Sequence, residues 1–167
     1  KIIGNVTEKF ITEIDYTNRL DILVKIELAD NIIKGRKFDL RDYRNCIDVM
    51  TGGNFKEPGQ INKNSFEKYV KTLQSLCDDN IDPRNFIIGL NMKHHPYDGS
   101  HRLAVAIARG CKKINTIRIE DDSWIFDYGR LAQSRKQDLH YYKYLRILLM
   151  ERSNLAAFVI WPKARRK

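Results

Sequence analysis

The stretch HPYDGSHRLAVAIARG, residues 95–110, sets an acid, a glycine, a serine, a histidine and an arginine immediately before an apolar, alanine-rich run. Asp98-Gly99 is a turn dipeptide and Ser100 a favoured N-cap residue. Leu103, Ala104, Ile107 and Ala108 then recur at helical spacing until Gly110 stops the run. Upstream, NFIIGLN (85–91) is β-branched and apolar and follows Asp82-Pro83, so it reads as a strand. The unit is therefore strand, short connection, helix. A helix entered through a glycine turn presents unpaired N–H groups at the positive end of its dipole, where an anion is favoured. Arg102 falls in the first turn, the unfavourable end for a cation, which an anion lying between it and the N–H groups would explain. The plain alternative is that Arg102 and His101 are solvated or pair with Asp98.

Working outward, RLDILVKIELADNIIKG (19–35) is apolar around much of its circumference and ends on Gly35, which predicts a buried helix. In FDLRDYRNCIDVM (38–50), Leu40, Tyr43, Ile47 and Met50 share a stripe, with Asp39 placed to cap a second helix. TGGNFKEPGQ (51–60) is a Gly- and Pro-rich loop without the residue order of a P-loop. Asn64 and Glu67 make a capping-box-like start for a third helix, whose apolar face is Phe66, Tyr69, Val70, Leu73, Leu76 and Cys77. INTIRIE (114–120) alternates as a strand paired near the first one. DDSWIFDYGRLAQ (121–133) reads as an acidic, aromatic lid or core segment, QDLHYYKYLRILLMERS (137–153) as a helix and LAAFVIWP (155–162) as a closing strand. The pattern predicts one α+β domain over 1–167, a small mixed sheet with flanking helices. Its N-terminal helical portion covers about 19–50 and its motif-bearing core about 64–120.

With 167 residues, 43% of them hydrophobic, the chain can bury one substantial core. No apolar run approaches membrane-spanning length, no signal segment is visible, and the three cysteines are far apart within apolar patterns. The expectation is a reduced protein of the cytoplasm with no membrane span. A net charge of +9 asks for an acidic partner, and nucleotide, nucleic acid and anionic glycan all qualify.

Asp98-Gly99-Ser100-His101-Arg102, followed by LAVAIARG and the strand-like KINTIRI, resembles the ParB/sulfiredoxin-like superfamily over about 66–119. The order D-G-x-H-R is closest to the ParB-like free serine kinases, in which the acid and the histidine work on the metal-bound phosphates of a nucleotide. With DILVKIELAD before and WIFDYGRL after the motif, the chain is also similar to ParB-like proteins associated with bacterial surface-polysaccharide genes. The resemblance implies a ParB/sulfiredoxin-like fold. Asp98 and His101 would be catalytic, Gly99, Ser100, His101 and Arg102 would hold ATP, ADP or CTP, and Asp98 would bind Mg²⁺. Sulfiredoxins carry a catalytic cysteine where this chain has Ser100, so thiol chemistry is not implied, and no Gly-x-Ser-x-Gly elbow surrounds Ser100.

A phosphotransferase also needs an acid to accept the hydroxyl proton. Glu27 is the first candidate, since it shares a helical stripe with Leu20, Leu23, Val24 and Asn31, although Lys25 or Arg19 could be its ion-pair partner; Asp127 and Asp30 follow. The expected function is a nucleotide-dependent kinase acting on a small hydroxyl-bearing molecule or a glycan, or a nucleotide hydrolase. The alternative is a nucleotide-switched module that binds DNA or another partner without phosphotransfer. No helix-turn-helix pair follows Ile119 to favour it.

Overall fold

The expected strand, connection and helix lie at the centre of an α+β fold. The computed structural model describes residues 1–16, 19–51, 61–120 and 147–148. In chain order its elements are β1 (Ile2–Phe10), α1 (Leu20–Ile33), α2 (Arg41–Thr51), α3 (Ile61–Leu76), β2 (Ile87–Leu90), β3 (Pro96–Asp98), α4 (Ser100–Ala108) and β4 (Lys113–Ile119). Short 3-10 turns occupy Ile11–Glu13 and Pro83–Asn85. Helical residues outnumber strand residues among those described.

The sheet is mixed, with strand order β1-β4-β2-β3. β2 and β4 run parallel, Ile88 opposite Thr116, as two strands must when a helix returns the chain between them. β3 folds back antiparallel on β2 and sets Asp98 opposite Gly89. Buried Asn91 shapes that hairpin: its Oδ1 accepts the N–H groups of Lys93 and His95, and its own N–H donates to the His95 carbonyl. A Cβ at Gly89 would lie 2.5 Å from Ile119 Cδ1, the movable end of that side chain, and 3.2 Å from Asp98 Cβ, so a side chain there would require both neighbours to shift. β1 pairs antiparallel with β4 through a bulge between Ile3 and Thr7.

Helix α4 links this sheet to the other helices through its contact with β2. α4 packs on α1 and α3, and α1 also meets α2. Leu103, Ala104, Val105 and Ala106 of α4 are buried beside Ile22, Leu23, Val24 and Ile26 of α1, which explains why both helices carry apolar residues round most of their circumference. Gly35 and Gly110, at φ +61° and +74°, follow the ends of α1 and α4 as the sequence predicts. Asp39 Oδ1 accepts the Arg41 N–H at the start of α2. None of the described helices is long and apolar enough to cross a membrane.

Two expectations change, and one strand is new. Ser100 is the first residue of α4, and Gly99, at φ +81° and ψ +25°, is its N-cap. The left-handed turn that glycine permits brings the chain into the helix one residue earlier than a serine cap would. α3 reaches upstream of Asn64 to Ile61, so the capping-box spacing of Asn64 and Glu67 lies inside the helix. β1, to which the sequence reading assigned nothing, is an extended strand with Ile2, Val6 and Phe10 exposed. The loop expected at 51–60, apart from Thr51, the lid at 121–133 with Asp127, and the strand at 155–162 lie outside the described residues, as does nearly all of the helix expected at 137–153.

Candidate functional site

The turn joining β3 to α4 is built by short-range bonds. Asp98 Oδ1 accepts the Gly99 N–H at 2.7 Å, and its Oδ2 pairs with Arg102 at 3.1 Å. The first backbone bond of α4 runs from the Leu103 N–H to the Gly99 carbonyl. Glycine has no side chain to accept the N–H groups of Ser100, His101 and Arg102, so the first turn of the helix carries no side-chain cap. A Cβ at Gly99 would meet Ile88 Cδ1 at 3.0 Å and the Arg102 guanidinium at 3.2 Å, which shows how closely the arginine folds over the turn.

Beneath the turn lies a charged cluster enclosed in the core. Arg19, Asp21 and Lys25 are 6%, 0% and 2% exposed, so none is a solvated surface charge. Arg19 makes a two-pronged pair with Asp21, Nε to Oδ1 at 2.7 Å and Nη2 to Oδ2 at 2.9 Å. Lys25, one helical turn on, reaches Asp21 Oδ2 at 3.0 Å and Ser100 Oγ at 2.8 Å. Arg19 Nη1 also donates to the Pro96 carbonyl at 2.8 Å. The start of β3 and the start of α4 are thus both tied to one carboxylate through its two cations. Burial would raise the Asp21 carboxyl, but the Lys25 and Arg19 charges and hydrogen bonds outweigh it and hold the group well below the usual range. Burial pushes Lys25 down from its ordinary value, against the opposing pull of Asp21.

His101 faces the same cluster from above. Its Nε2 lies 2.9 Å from the Tyr43 hydroxyl, and its ring is 5.8 Å from that of half-exposed Tyr69. Burial, with the Lys25 charge adding to it, lowers the imidazole to about 3, so it is neutral at physiological pH. Tyr43 is buried and its phenol is held protonated; when it donates to Nε2, the imidazole proton sits on Nδ1.

The structure brings Asp98, Gly99, Ser100, His101 and Arg102 into one turn, where Arg102 pairs with Asp98 as the plain alternative expects and folds its guanidinium against Gly99. Glu27 is half-buried on α1, but it lies two residues beyond Lys25 and so roughly 200° round the helix from it. It does not share the face that carries Asp21 and Lys25 to Ser100. Asp30 pairs with Lys34 and Arg36 at the far end of α1. Asp21 and Tyr43 were absent from the sequence candidates. Arg19, Asp21 and Lys25 do stand close together in an apolar-rich run, but Glu27 and Asp30 share that run, so spacing alone does not single out Asp21. Among the described residues no group of three or more His, Cys, Asp or Glu side chains is gathered for a metal ion. No family model, curated protein or solved structure matches the chain.

Proposed function

We propose that the Asp98–Arg102 turn binds the phosphates of a nucleotide and that the protein is a nucleotide-dependent phosphotransferase or nucleotide hydrolase with a ParB/sulfiredoxin-like fold. The observation that carries this reading is the start of α4: a first turn without a side-chain cap, entered through a left-handed Gly99 with the Arg102 guanidinium folded against that glycine. The Asp98–Arg102 pair is exposed, so separating it costs about 1 kcal/mol or less. A phosphate can therefore take Arg102 while the freed Asp98 oxygen turns to a cation. Mg²⁺ suits this donor set, because it is commonly bound through one or two carboxylates together with substrate phosphates, and it would neutralise charge on them. Asp98 would be the residue that holds it.

The chain's own groups then have separable tasks. Arg102 and the N–H groups of Ser100, His101 and Arg102 orient the phosphate, and neutral His101, fixed by Tyr43, offers a ring nitrogen beside it. The acceptor is a small hydroxyl-bearing molecule or a glycan. Calorimetry with ATP, ADP and CTP, with and without Mg²⁺, tests the reading. Binding that tightens with Mg²⁺ is the expected result. Absence of nucleotide binding, with duplex DNA bound in a steeply salt-dependent manner, would favour the DNA-binding alternative.

A further inference from the structure

We propose that Ser100 and Lys25 form a nucleophile and base pair that takes a phosphoryl group onto Ser100 Oγ. For its natural donor, a nucleoside triphosphate, the inference rests on the phosphate-binding reading of the turn; the reactivity of the pair does not. Lys25 Nζ stands 2.8 Å from Ser100 Oγ, within the reach a base needs to accept the hydroxyl proton. Lys25 is enclosed and Ser100 is half-buried at the first position of α4, so the amine approaches from the core side and leaves the outer side of the turn for the electrophile.

The charge count explains why this lysine, unlike most, can act as a base. Among the described residues its cluster holds two cations and one carboxylate, and the Arg19 fork already engages both oxygens of Asp21. Burial of Lys25 favours its free amine, and the neighbouring Arg19 charge adds to that, against the pull of Asp21. In the ammonium form Nζ donates to Ser100 Oγ. As a free amine it keeps one N–H on Asp21 and turns its lone pair to the Ser100 hydroxyl, so the same contact runs in reverse. The N–H groups of His101 and Arg102 lie next to Oγ without a side-chain cap and can take charge growing on a phosphoryl oxygen.

In the step itself, Ser100 Oγ attacks the terminal phosphorus. The Oγ–P bond forms as the bridging P–O bond breaks, the nucleoside diphosphate leaves with the bonding pair, and the Ser100 proton passes to Lys25 Nζ. No residue near Ser100 in sequence hints at this, because the base comes from 75 positions upstream.

The test uses the whole chain, a fluorophosphonate probe and mass-spectrometric mapping, with a parallel incubation in ATP and Mg²⁺. Expected are probe attachment at Ser100 in the folded but not the urea-unfolded chain, phosphoserine at the same position with ADP released, and loss of both in Ser100→Ala. Lys25→Met leaves the Arg19–Asp21 pair intact, and Lys25→Arg keeps the charge without a usable base; each should slow labelling about a hundredfold or more. The proposal is overturned if the folded chain carries neither probe nor phosphate at Ser100, or if the probe reacts equally after unfolding. It is equally overturned if a Lys25→Met variant that melts like the parent labels at the parent rate. The folded-against-unfolded comparison decides the matter even where the variants fail to fold. Nucleotide binding without any Ser100 labelling sinks this inference and leaves the phosphate-binding reading standing. Probe labelling of Ser100 without nucleotide binding supports the reactive pair and counts against that reading alone.

Discussion

Lys25 and Ser100 meet at 2.8 Å although 75 residues separate them, and Asp21 holds the same lysine from the other side at 3.0 Å. The turn that the sequence advertises is therefore seated on a charged cluster contributed by another helix. Its behaviour on mutation should follow the balance of that cluster.

Asp21→Ala removes the carboxylate that Arg19 and Lys25 share in the core. The expected loss is about 3–5 kcal/mol of folding stability, read by urea or thermal unfolding. Lys25→Met removes one of the two cations and keeps the Arg19 fork, so it should cost clearly less. Equal losses for the two would contradict the charge count.

Arg102→Ala should weaken nucleotide binding by about tenfold to a hundredfold, since a hydrogen bond to a charged group contributes about 1.5–3 kcal/mol. Asp98→Asn should preserve the fold and abolish the Mg²⁺ dependence of affinity. Titration calorimetry of both variants checks the assignment. Parent-like binding in both would make the turn purely structural.

Glu27→Gln separates the sequence candidate from the site as built. Nucleotide affinity is expected to stay at the parental value, because Glu27 lies away from the α1 face that meets Ser100. Turnover decides its role: a fall of about two to four orders of magnitude would make Glu27 the general base.

Stability should rise with pH between about 4 and 6.5. His101 has an ordinary value of 6.5 and is lowered to about 3 in the folded chain, so in this window the unfolded state binds more protons. The contribution of His101 is therefore fully present above 6.5 and is lost as pH falls toward 3. Asp21 acts in the same direction, but only below its ordinary 3.8. Unfolding midpoints from pH 4 to 7 should show a shallower slope in His101→Gln than in the parent.

Gly99→Ala should destabilise the chain by about 1–2 kcal/mol, the penalty of a side chain at positive φ. Its Cβ would also press on Arg102, so nucleotide affinity should fall beyond what the stability loss explains. Binding measured well below the melting temperature distinguishes the two effects.

The α1, α2 and α4 helices and the β2 and β4 strands were legible because their apolar residues repeat at the period of the element, with Gly35 and Gly110 as stops. β1 was not, since its residues are largely exposed and pair with β4 through a bulge, so no face is marked by burial. In the site, Asp98 to Arg102 could be read as a contiguous string, whereas Asp21, Lys25 and Tyr43 reach it only through packing. A buried charge looks the same in sequence as a solvated one. Only the fold shows that Asp21 is fully enclosed and Glu27 is not.

Because α1 lies so far from the turn along the chain, the site is also a matter of timing. Local signals can form α4 and the Asp98–Gly99 turn early, but the Lys25–Ser100 contact must first close a loop of 75 residues, a cost in chain entropy with no local reward. A peptide spanning 95–110 would hold the motif without the lysine beneath it. During refolding, helical signal should precede Ser100 reactivity, which makes that reactivity a late reporter of the native state.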